Sequence, residues 1–486
     1  MKTKKLHWIK RTTLSLMLMA IAGLCPAVFA QPFVHPGCLS TPADFARMNT
    51  KVIQTAQSPW TNSWDILIAN SHAQPGYVPN PQVNLVRGIG GAPCNVETYS
   101  AAMNDAAAAY QLSLRWRING DTACAATAAT ILNAWSSTLK QICGDPNYAL
   151  NGIYGYEFAC AGENLRGYSG WSAANLASFQ SMMANKFYPM SHDFLIRHQG
   201  ACISYQWANW DLIQMADEMA IGVVCDNRGF YDDAINYFYH GAGNGRIDFN
   251  PANNTGTVVA EFNSNTLGEQ QESGRDQGHS GLETSLEGVI CSIAQNQGDN
   301  LFGYNNNKVM SLCEYFADYN LGNTVPYNAY TNCIPNDDTV ISSSSRGDNR
   351  PAWDLLYNQF VNRMNASAPF STSYAARLRP EGGGGNYGGN SGGFDQLGFT
   401  TLTHTIDKMP VANGNYTVVN RASGLAVDNF NSTSPGTAVV QWPVDNWYNQ
   451  FWTVTYQGNG YYKLTCGHGN ECLDGLGHTA NGSSAG

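Results

Sequence analysis

Paired alanine-rich helices dominate the chain from Pro42 to about Lys408 and restrict it to a mainly α fold. Apolar residues recur at helical intervals from Ala101 to Ile118, Asn119-Gly120-Asp121 interrupts them, and the pattern resumes from Thr122 to Leu139. Helical hairpins repeated along one chain indicate a toroid with the functional site at its centre. Further helices are predicted over Ala43 to Ala56, Trp171 to Asn185, Trp210 to Val224, Tyr231 to Tyr239, Leu282 to Gln297, Val309 to Tyr319 and Ala352 to Asn362.

The sequence changes character after this helical region. Residues 381–399 read EGGGGNYGGNSGGFDQLGF, which excludes a regular helix and is compatible with a linker. The aromatic residues Tyr387, Phe394 and Phe399 favour a packed loop instead, because linkers rarely contain so many. After Asn413, short alternating segments separated by Gly, Asn, Ser and Pro predict a second, all-β domain.

The first thirty residues have the three parts of a secretory signal. Basic residues precede an apolar run from Leu14 to Leu24, and Ala-Val-Phe-Ala ends at Ala30. The run is shorter than a membrane-spanning helix, and no later segment is apolar enough to span. We therefore predict a signal peptide at 1–30, a helical domain at 31–408 and a β module at 413–486, in a secreted protein without a membrane anchor.

The chain has 13 cysteines, of which Cys25 lies in the predicted signal. Twelve cysteines in a secreted protein predict disulfide bonds. Their pairing cannot be read from the sequence, except that Cys466 and Cys472 are close enough to close a small loop. The other ten could equally include buried thiols. No cysteine or histidine spacing is that of a zinc site, so we predict no metal and no cofactor.

The formal net charge of −10 argues against nucleic acid as a partner. An acidic substrate would require positive groups concentrated at its binding site. Aromatic residues make up 12% of the chain, and exposed aromatic faces can stack on sugar rings.

The C-terminal segment resembles ricin-type β-trefoil lectin repeats. The matching features are Tyr416, the Ser423-Gly424-Leu425 turn, Gln441-Trp442 and Gln450-Phe451-Trp452, and the pattern restarts at Tyr462. The resemblance implies a sugar ligand. It also implies a module that is incomplete in this chain, because a trefoil closes with three repeats. The implied sugar contacts are Asp428, Trp442, Asn446 and Gln450.

The large domain resembles the alginate lyase superfamily of uronate polysaccharide lyases, which are built on an incomplete α/α toroid. The resemblance spans residues 35–408 and implies a monomer that cleaves an acidic polysaccharide by β-elimination. It rests on HPGCLSTPADFARM at His35, RHQGACISYQWANWD at Arg197, ESGRDQGHS at Glu272, VPYNAYTN at Val325 and RGDNRPAWDLLYNQF at Arg346.

Elimination next to a uronate carboxylate requires three kinds of group. Hydrogen-bond donors must neutralise the carboxylate, a base must take the neighbouring proton, and an acid must protonate the leaving oxygen. In the Arg197 string, Asn209 is the predicted neutraliser, with a helix N-cap as the alternative. His198, Gln199, Trp207 and Trp210 are predicted substrate contacts.

The Glu272 string places four polar residues within eight positions. His279 is the predicted base or carboxylate partner and Arg275 the predicted carboxylate ligand. The alternative is a structural ion pair of Arg275 with Asp276 or Glu272, and His279 capping the next helix. Flanking Gly274 and Gly278 indicate close approach of the backbone to another group. Glu272 is a further predicted substrate contact.

The catalytic tyrosine is either Tyr205 or Tyr330, and Arg346 is a further predicted substrate contact. The adjacent Asn-Asn-His of some alginate lyases is absent. A glycoside hydrolase is the second interpretation, with Glu272 and either Asp276 or Asp211 as its two carboxylates. A non-catalytic sugar-binding protein is the third.

Overall fold

The structure is a computed structural model that describes residues 32–334, 338–384, 395–408, 411, 413–420, 422–458 and 461–474. Within these ranges, helices predominate up to His404 and short strands follow. The helices are α1 (Pro42–Asn49), α2 (Trp60–Ala69), α3 (Tyr99–Asn119), α4 (Thr122–Thr138), α5 (Gly152–Leu165), α6 (Ala173–Met182), α7 (Tyr188–Arg197), α8 (Ala208–Val224), α9 (Arg228–His240), α10 (Gln277–Asn296), α11 (Tyr304–Asn320), α12 (Trp353–Tyr357), α13 (Pro369–Leu378) and α14 (Thr400–His404). The strands are β1 (Asn84–Val86), β2 (Gln141–Cys143), β3 (Val258–Phe262), β4 (Leu267–Gln270), β5 (Gly414–Thr417), β6 (Ala426–Asp428), β7 (Val440–Trp442), β8 (Phe451–Gly458) and β9 (Tyr461–Cys466).

The predicted hairpin of α3 and α4 is confirmed. Gly120 ends α3 with a φ of +79°, a left-handed conformation that glycine adopts at little cost. Asp121 then caps α4, because its side chain accepts hydrogen bonds from the Ala123 and Cys124 N–H groups. The turn chemistry therefore reverses the chain at the position that the sequence indicates.

The core is centred on α8, which packs against α5, α9 and α10. Every residue of α5 is buried, as are nearly all of α8 and α10. Gly155 allows α5 to approach α8, since a Cβ at this position would lie 2.0 Å from Asp217 Oδ1. The close packing of these central helices holds the N-terminal ends of α8 and α10 in fixed positions.

Strands β3 and β4 form an antiparallel hairpin, and residues 271–276 connect β4 to α10. Two disulfides, Cys94–Cys143 and Cys202–Cys333, join distant segments of the helical region. Cys38, Cys124, Cys160, Cys225, Cys291 and Cys313 are free thiols, and all but Cys225 are buried. The helical region thus contains both disulfide bonds and buried free thiols, the two possibilities that the sequence left open.

The described ends of the glycine-rich segment are packed, as predicted. Gly383 pairs with Gly398 in a β-bridge, and the side chains of Glu381 and Phe399 are fully buried. Tyr387 and Phe394 lie outside the described residues.

In the C-terminal region, β5, β8 and β9 form one sheet and β6 pairs with β7. The predicted Cys466–Cys472 disulfide is wrong, because both residues are free thiols. Cys472 pairs with Thr465 across an antiparallel bridge, and paired residues point to the same face. Cys466 follows Thr465, so its side chain points to the opposite, buried face.

Candidate active site

The segment after β4 meets the N-terminus of α8. Gln271 Oε1 accepts a hydrogen bond of 2.8 Å from the Ala208 N–H, and Glu272 Oε1 accepts one of 2.7 Å from the Asn209 N–H. The first N–H groups of a helix lack partners within it, so these two side chains cap α8 from outside. The interpretation of Asn209 as the N-cap is wrong, because Trp207 occupies that position.

Glu272 also binds the side chains of Asn209 and Arg275. Asn209 Nδ2 donates to Glu272 Oε1 at 2.7 Å and to Oε2 at 2.9 Å, and Arg275 Nη1 donates to Oε2 at 2.8 Å. The Arg275 guanidinium lies over the Trp207 ring, 5.1 Å from its centroid. The fully buried Glu272 therefore positions the amide and the guanidinium, which differs from its predicted role as a substrate contact.

Asp276 orients His279. Asp276 Oδ1 accepts a hydrogen bond of 2.8 Å from the His279 N–H and caps α10, while Oδ2 lies 2.6 Å from His279 Nδ1. Burial alone would raise the pKa of Asp276, but its contacts with His279 and the charge of Arg275 hold that pKa below its usual range. An ionised Asp276 accepts the Nδ1 proton of a neutral imidazole, so the lone pair lies on Nε2.

These contacts join five residues into one line, which we call the polar chain: Asn209, Glu272, Arg275, Asp276 and His279. Arg275 Nε lies 3.9 Å from Asp276 Oδ2 and connects its two halves. Asn209 is 2% exposed, whereas the side chains of Arg275 and His279 are 25% and 39% exposed. A ligand would therefore meet Arg275 and His279 first and Asn209 behind them.

Gly274 allows a close contact within the protein. A Cβ on Gly274 would lie 2.3 Å from the Tyr327 hydroxyl and 2.5 Å from Asp338 Cβ. The close approach inferred from the sequence is therefore made at Gly274 by Tyr327 and Asp338 of the protein itself.

The two candidate tyrosines lie on segments joined by the Cys202–Cys333 disulfide. Tyr330 is buried, its hydroxyl donates to the Asn254 carbonyl at 2.9 Å, and burial raises its pKa to about 12. Tyr205 is 40% exposed. A base must reach substrate and lose its proton readily, so this geometry favours Tyr205 over Tyr330.

His198 and Asp211 belong to a separate buried cluster. His198 Nε2 lies 3.2 Å from Asp211 Oδ1, and the Tyr237 hydroxyl donates to Asp211 Oδ2 at 3.0 Å. Burial lowers the pKa of His198, but the Asp211 carboxylate raises it above its usual value. His198 is 1% exposed and bound to Asp211 and Tyr237, which favours a structural role, and its contact with substrate stays a prediction.

The burial of Asp211 and Glu272 also opposes the hydrolase interpretation. Both are 0% exposed, and their carboxylates are bound within the protein. A glycosidase needs two carboxyl groups that flank the scissile bond and are free to exchange protons. The structure presents no such pair among Glu272, Asp276 and Asp211, because Asp276 binds His279.

Three other predicted contacts lie outside the polar chain. Arg346 donates to the Tyr319 and Asn323 carbonyls at 2.8 and 2.7 Å, and so it braces the end of α11. Gln199 Nε2 donates to the Pro146 carbonyl at 2.6 Å. The Trp210 ring stacks on Phe194, with 5.9 Å between the ring centroids. A substrate-binding role for these residues stays a prediction.

The predicted sugar contacts of the β module divide into two classes. Asp428 and Gln450 are buried and bind each other, with 3.0 Å between Gln450 Nε2 and Asp428 Oδ2. Both therefore support the module's interior and are not presented to a ligand. Trp442 is 48% exposed and Asn446 is exposed, so these two are accessible to a sugar.

Sequence reasoning missed Gln271 and Glu283. Glu283 Oε2 accepts a 3.3 Å hydrogen bond from the Glu272 N–H, and burial together with the charge of Glu272 raises the pKa of Glu283 well above its usual range. A neutral acid thus lies behind the polar chain. Within the described ranges, His, Cys, Asp and Glu side chains form no group of three that could hold a metal ion.

The chain belongs to the alginate lyase family, whose model matches residues 63–325, more than half of the sequence. Residues 402–486 match the model described as ricin-type beta-trefoil lectin domain-like. No curated protein matches the sequence.

Solved structures share the fold. Alginate lyase A1-III from Sphingomonas species A1 is 14% identical, with coverage of 78% of this chain and 99% of that one and a TM-score of 0.52. A histidine-to-alanine variant of A1-III, complexed with a tetrasaccharide, is 13% identical, with coverage of 78% and 97% and a TM-score of 0.52. ThreeFoil, a designed 3-fold symmetric protein, is 37% identical over 15% of this chain, with a TM-score of 0.15, and the match spans 54% of ThreeFoil, about half its length.

The fold is therefore a mainly α, lyase-type toroid followed by a small β-trefoil-like region, as the sequence predicted. The protein is a polysaccharide lyase with a C-terminal lectin-like region.

Proposed function

We propose that this lyase is secreted and cleaves a uronate-containing polysaccharide, alginate or a related polyuronate, by β-elimination. The observation that carries the proposal is the polar chain, which combines carboxylate-binding donors with an oriented imidazole. Arg275 offers a planar fork for a carboxylate, and the Asn209 amide, which donates to Glu272, lies in the same hydrogen-bonded chain.

The reaction assigns a task to each group. Arg275 binds the uronate carboxylate and, with the Asn209 amide behind it, stabilises the charge that moves onto it as the neighbouring proton leaves. His279 accepts that proton at Nε2, because Asp276 holds the Nδ1 proton. Tyr205 or the newly protonated His279 then donates a proton to the departing glycosidic oxygen.

The lectin-like module supports action on a polymer. Trp442 and Asn446 are accessible to a sugar in β7 and the turn after it. We assign this module the role of retaining the enzyme on polysaccharide, and we expect the protein to act as a monomer.

Secretion rests on the sequence of residues 1–30, since residues 1–31 lie outside the described part of the chain. None of the helices that the structure describes is long and apolar enough to cross a membrane. Expression of the full-length gene followed by N-terminal sequencing of protein from the medium tests this point, with Gln31 as the expected first residue.

A panel of purified polyuronates tests the activity and the substrate. A lyase leaves a conjugated double bond, so ultraviolet absorbance should rise together with reducing ends on at least one polyuronate. Reducing ends without new absorbance would mean hydrolysis. Absorbance on neutral polysaccharides alone would exclude a uronate substrate.

Variants then test the assigned residues. Asn209→Ala and His279→Ala should each lower turnover by about 100-fold or more, because each removes a preorganised donor or the proton acceptor. His240→Ala, at an exposed histidine that ends α9, is the matched control and should retain full activity. Unchanged turnover in either test variant would show that the residue is structural.

A further inference from the structure

A small cavity lies beside the C-terminal end of α10, between α1, α14 and the π-helical turn Asn358–Arg363 that follows α12. Its volume is about 20 Å³, enough for one particle of the size of a water molecule. Arg47, Arg363, Asp44 and His404 are the ionisable residues in its wall.

Two buried guanidinium nitrogens in this wall lack an acceptor. Arg47 uses its Nη1 and Nη2 atoms on the Asp44 carboxylate and the Thr403 carbonyl. Its Nε has no hydrogen-bond partner among the described residues, and neither does the buried Nε of Arg363. A buried N–H without an acceptor destabilises the fold, and more so when the group is charged, so a bound acceptor is expected here.

Asp44 cannot supply that acceptor. Its Oδ1 binds Arg47, and its Oδ2 accepts hydrogen bonds of 2.9 and 2.7 Å from the Thr41 N–H and hydroxyl. Burial acts to raise the pKa of Asp44, but Arg47 and Arg363 hold it far below its usual value, so the residue is ionised. Two guanidinium groups therefore face one carboxylate.

His404 does not restore the charge balance. Burial, together with the positive charges of Arg47 and Arg363, lowers its pKa to about 3, so the imidazole is neutral at ordinary pH. The remaining polar residues of the wall, among them Asn358 and Gln295, are uncharged. The cavity is left with one excess positive charge and two N–H groups that need an acceptor.

We propose that this cavity binds a single small monovalent anion, chloride in ordinary buffers. A water molecule could accept from the two N–H groups, but it would leave the excess charge unpaired in a buried place. An anion supplies both acceptor and counter-charge. The small volume favours a single small ion over sulfate, gluconate or a sugar carboxylate.

The bound anion would join three segments that are distant in the sequence. Arg47 belongs to α1, Arg363 ends the turn after α12, and His404 ends α14, directly before the lectin-like region. Anion binding to the folded state alone raises its stability by mass action. The inference is independent of the proposed polyuronate activity.

Thermal unfolding of the full-length protein tests the site. Protein freed of halide is compared in sodium chloride, bromide and gluconate at equal ionic strength. We expect a saturable rise in Tm with chloride and bromide of about 1–3 °C at ten times the Kd, and none with gluconate. Equal Tm values in chloride and gluconate would overturn the proposal.

Two further measurements locate the site. Arg363→Met should abolish the halide-dependent rise, whereas Arg197→Met, at an exposed arginine of α7, should preserve it. Crystals of the unaltered protein grown in bromide should give an anomalous peak within hydrogen-bonding distance of both Nε atoms. Electron density in the cavity without an anomalous signal would identify water. That result would contradict the proposal even if Arg363→Met failed to fold.

Discussion

Among single residues, Glu272 has the largest influence on how the polar chain can work. Its carboxylate holds the Asn209 amide and the Arg275 guanidinium, and it contributes no exposed atom of its own. A positioning residue of this kind acts on the rate by fixing the geometry of its neighbours.

Glu272→Gln should therefore lower kcat by about 10- to 100-fold, with a smaller change in KM. The amide keeps the shape of the side chain but replaces one accepting oxygen by a donor, so it cannot accept from both Asn209 and Arg275 as the carboxylate does. Initial rates measured by ultraviolet absorbance, together with thermal unfolding, separate positioning from misfolding. Glu97→Gln, at an exposed carboxylate, is the control. Full activity in Glu272→Gln would remove Glu272 from the site.

Asp276→Asn is the matching test of His279. Asparagine caps a helix as well as aspartate does, so α10 should still begin normally. The loss of the carboxylate charge disfavours the protonated imidazole, and we therefore expect the acid limb of the pH–rate profile to move to lower pH. Turnover at the optimum should also fall, because Asp276 orients the ring. A profile that keeps its position would mean that His279 does not titrate in catalysis.

The sequence singled out Asn209, Arg275 and His279 as candidates, but it could not show how they meet. The Arg197 and Glu272 strings indicate a catalytic or binding site by their composition alone, because polar residues lie among glycines and tryptophans in them. The contact between Asn209 and Glu272 joins positions 63 residues apart and exists only because β4 ends beside α8. His198 lies in a buried ion pair, which the density of polar residues in the sequence does not distinguish from an exposed ligand.

At the scale of elements, the sequence predicted the alanine-rich helices well and missed α5. Three glycines in α5 lower its helix propensity, and all its residues are buried, so it has no polar face to reveal a helical period. Helix α10 begins at Gln277, before the predicted start at Leu282. The cap at Asp276 determines where the helix begins, whereas the prediction began at an apolar residue. Tertiary packing supplies what local propensity lacks in both helices.

Glu287 in α10 gives a prediction about stability. It is fully buried, both carboxyl oxygens lack a hydrogen-bond partner in the described part of the chain, and burial raises its pKa to about 8. A carboxyl whose pKa rises from 4.5 in the unfolded chain to about 8 in the folded one destabilises the fold progressively as pH rises between these values.

Glu287→Gln should consequently be nearly neutral at pH 4.5 and stabilising at pH 8, by on the order of 1–4 kcal/mol. Denaturant unfolding of parent and variant over this pH range measures the difference. Glu261→Gln, at a partly exposed carboxylate of β3, should show no such trend. A Glu287→Gln difference that is constant with pH would mean that Glu287 is ionised in the folded protein.

At the scale of the whole molecule, the net charge of −10 and the proposed acidic substrate act against each other. Long-range attraction cannot bring a polyanion to this surface, so the local cation Arg275 and retention by the lectin-like module become more important. The chemistry is then assigned to the segment between β4 and α10, and retention on the polysaccharide is assigned to the accessible aromatic residues of the β module.

Trp442→Ala should accordingly weaken retention on insoluble polysaccharide by about 5- to 10-fold and leave turnover of short, soluble substrate unchanged. Trp442 is 48% exposed and packs edge-on against Phe430, with 6.0 Å between their rings, so its free face can stack on a sugar. Co-sedimentation with the polymer and ultraviolet rates on oligosaccharides measure the two effects separately.

Trp447→Ala removes an even more exposed tryptophan that is not a predicted contact, and it should retain binding. If Trp447→Ala releases the enzyme while Trp442→Ala does not, the sugar site lies on the turn after β7. If Trp442→Ala slows the soluble reaction as well, the module takes part in the catalytic site.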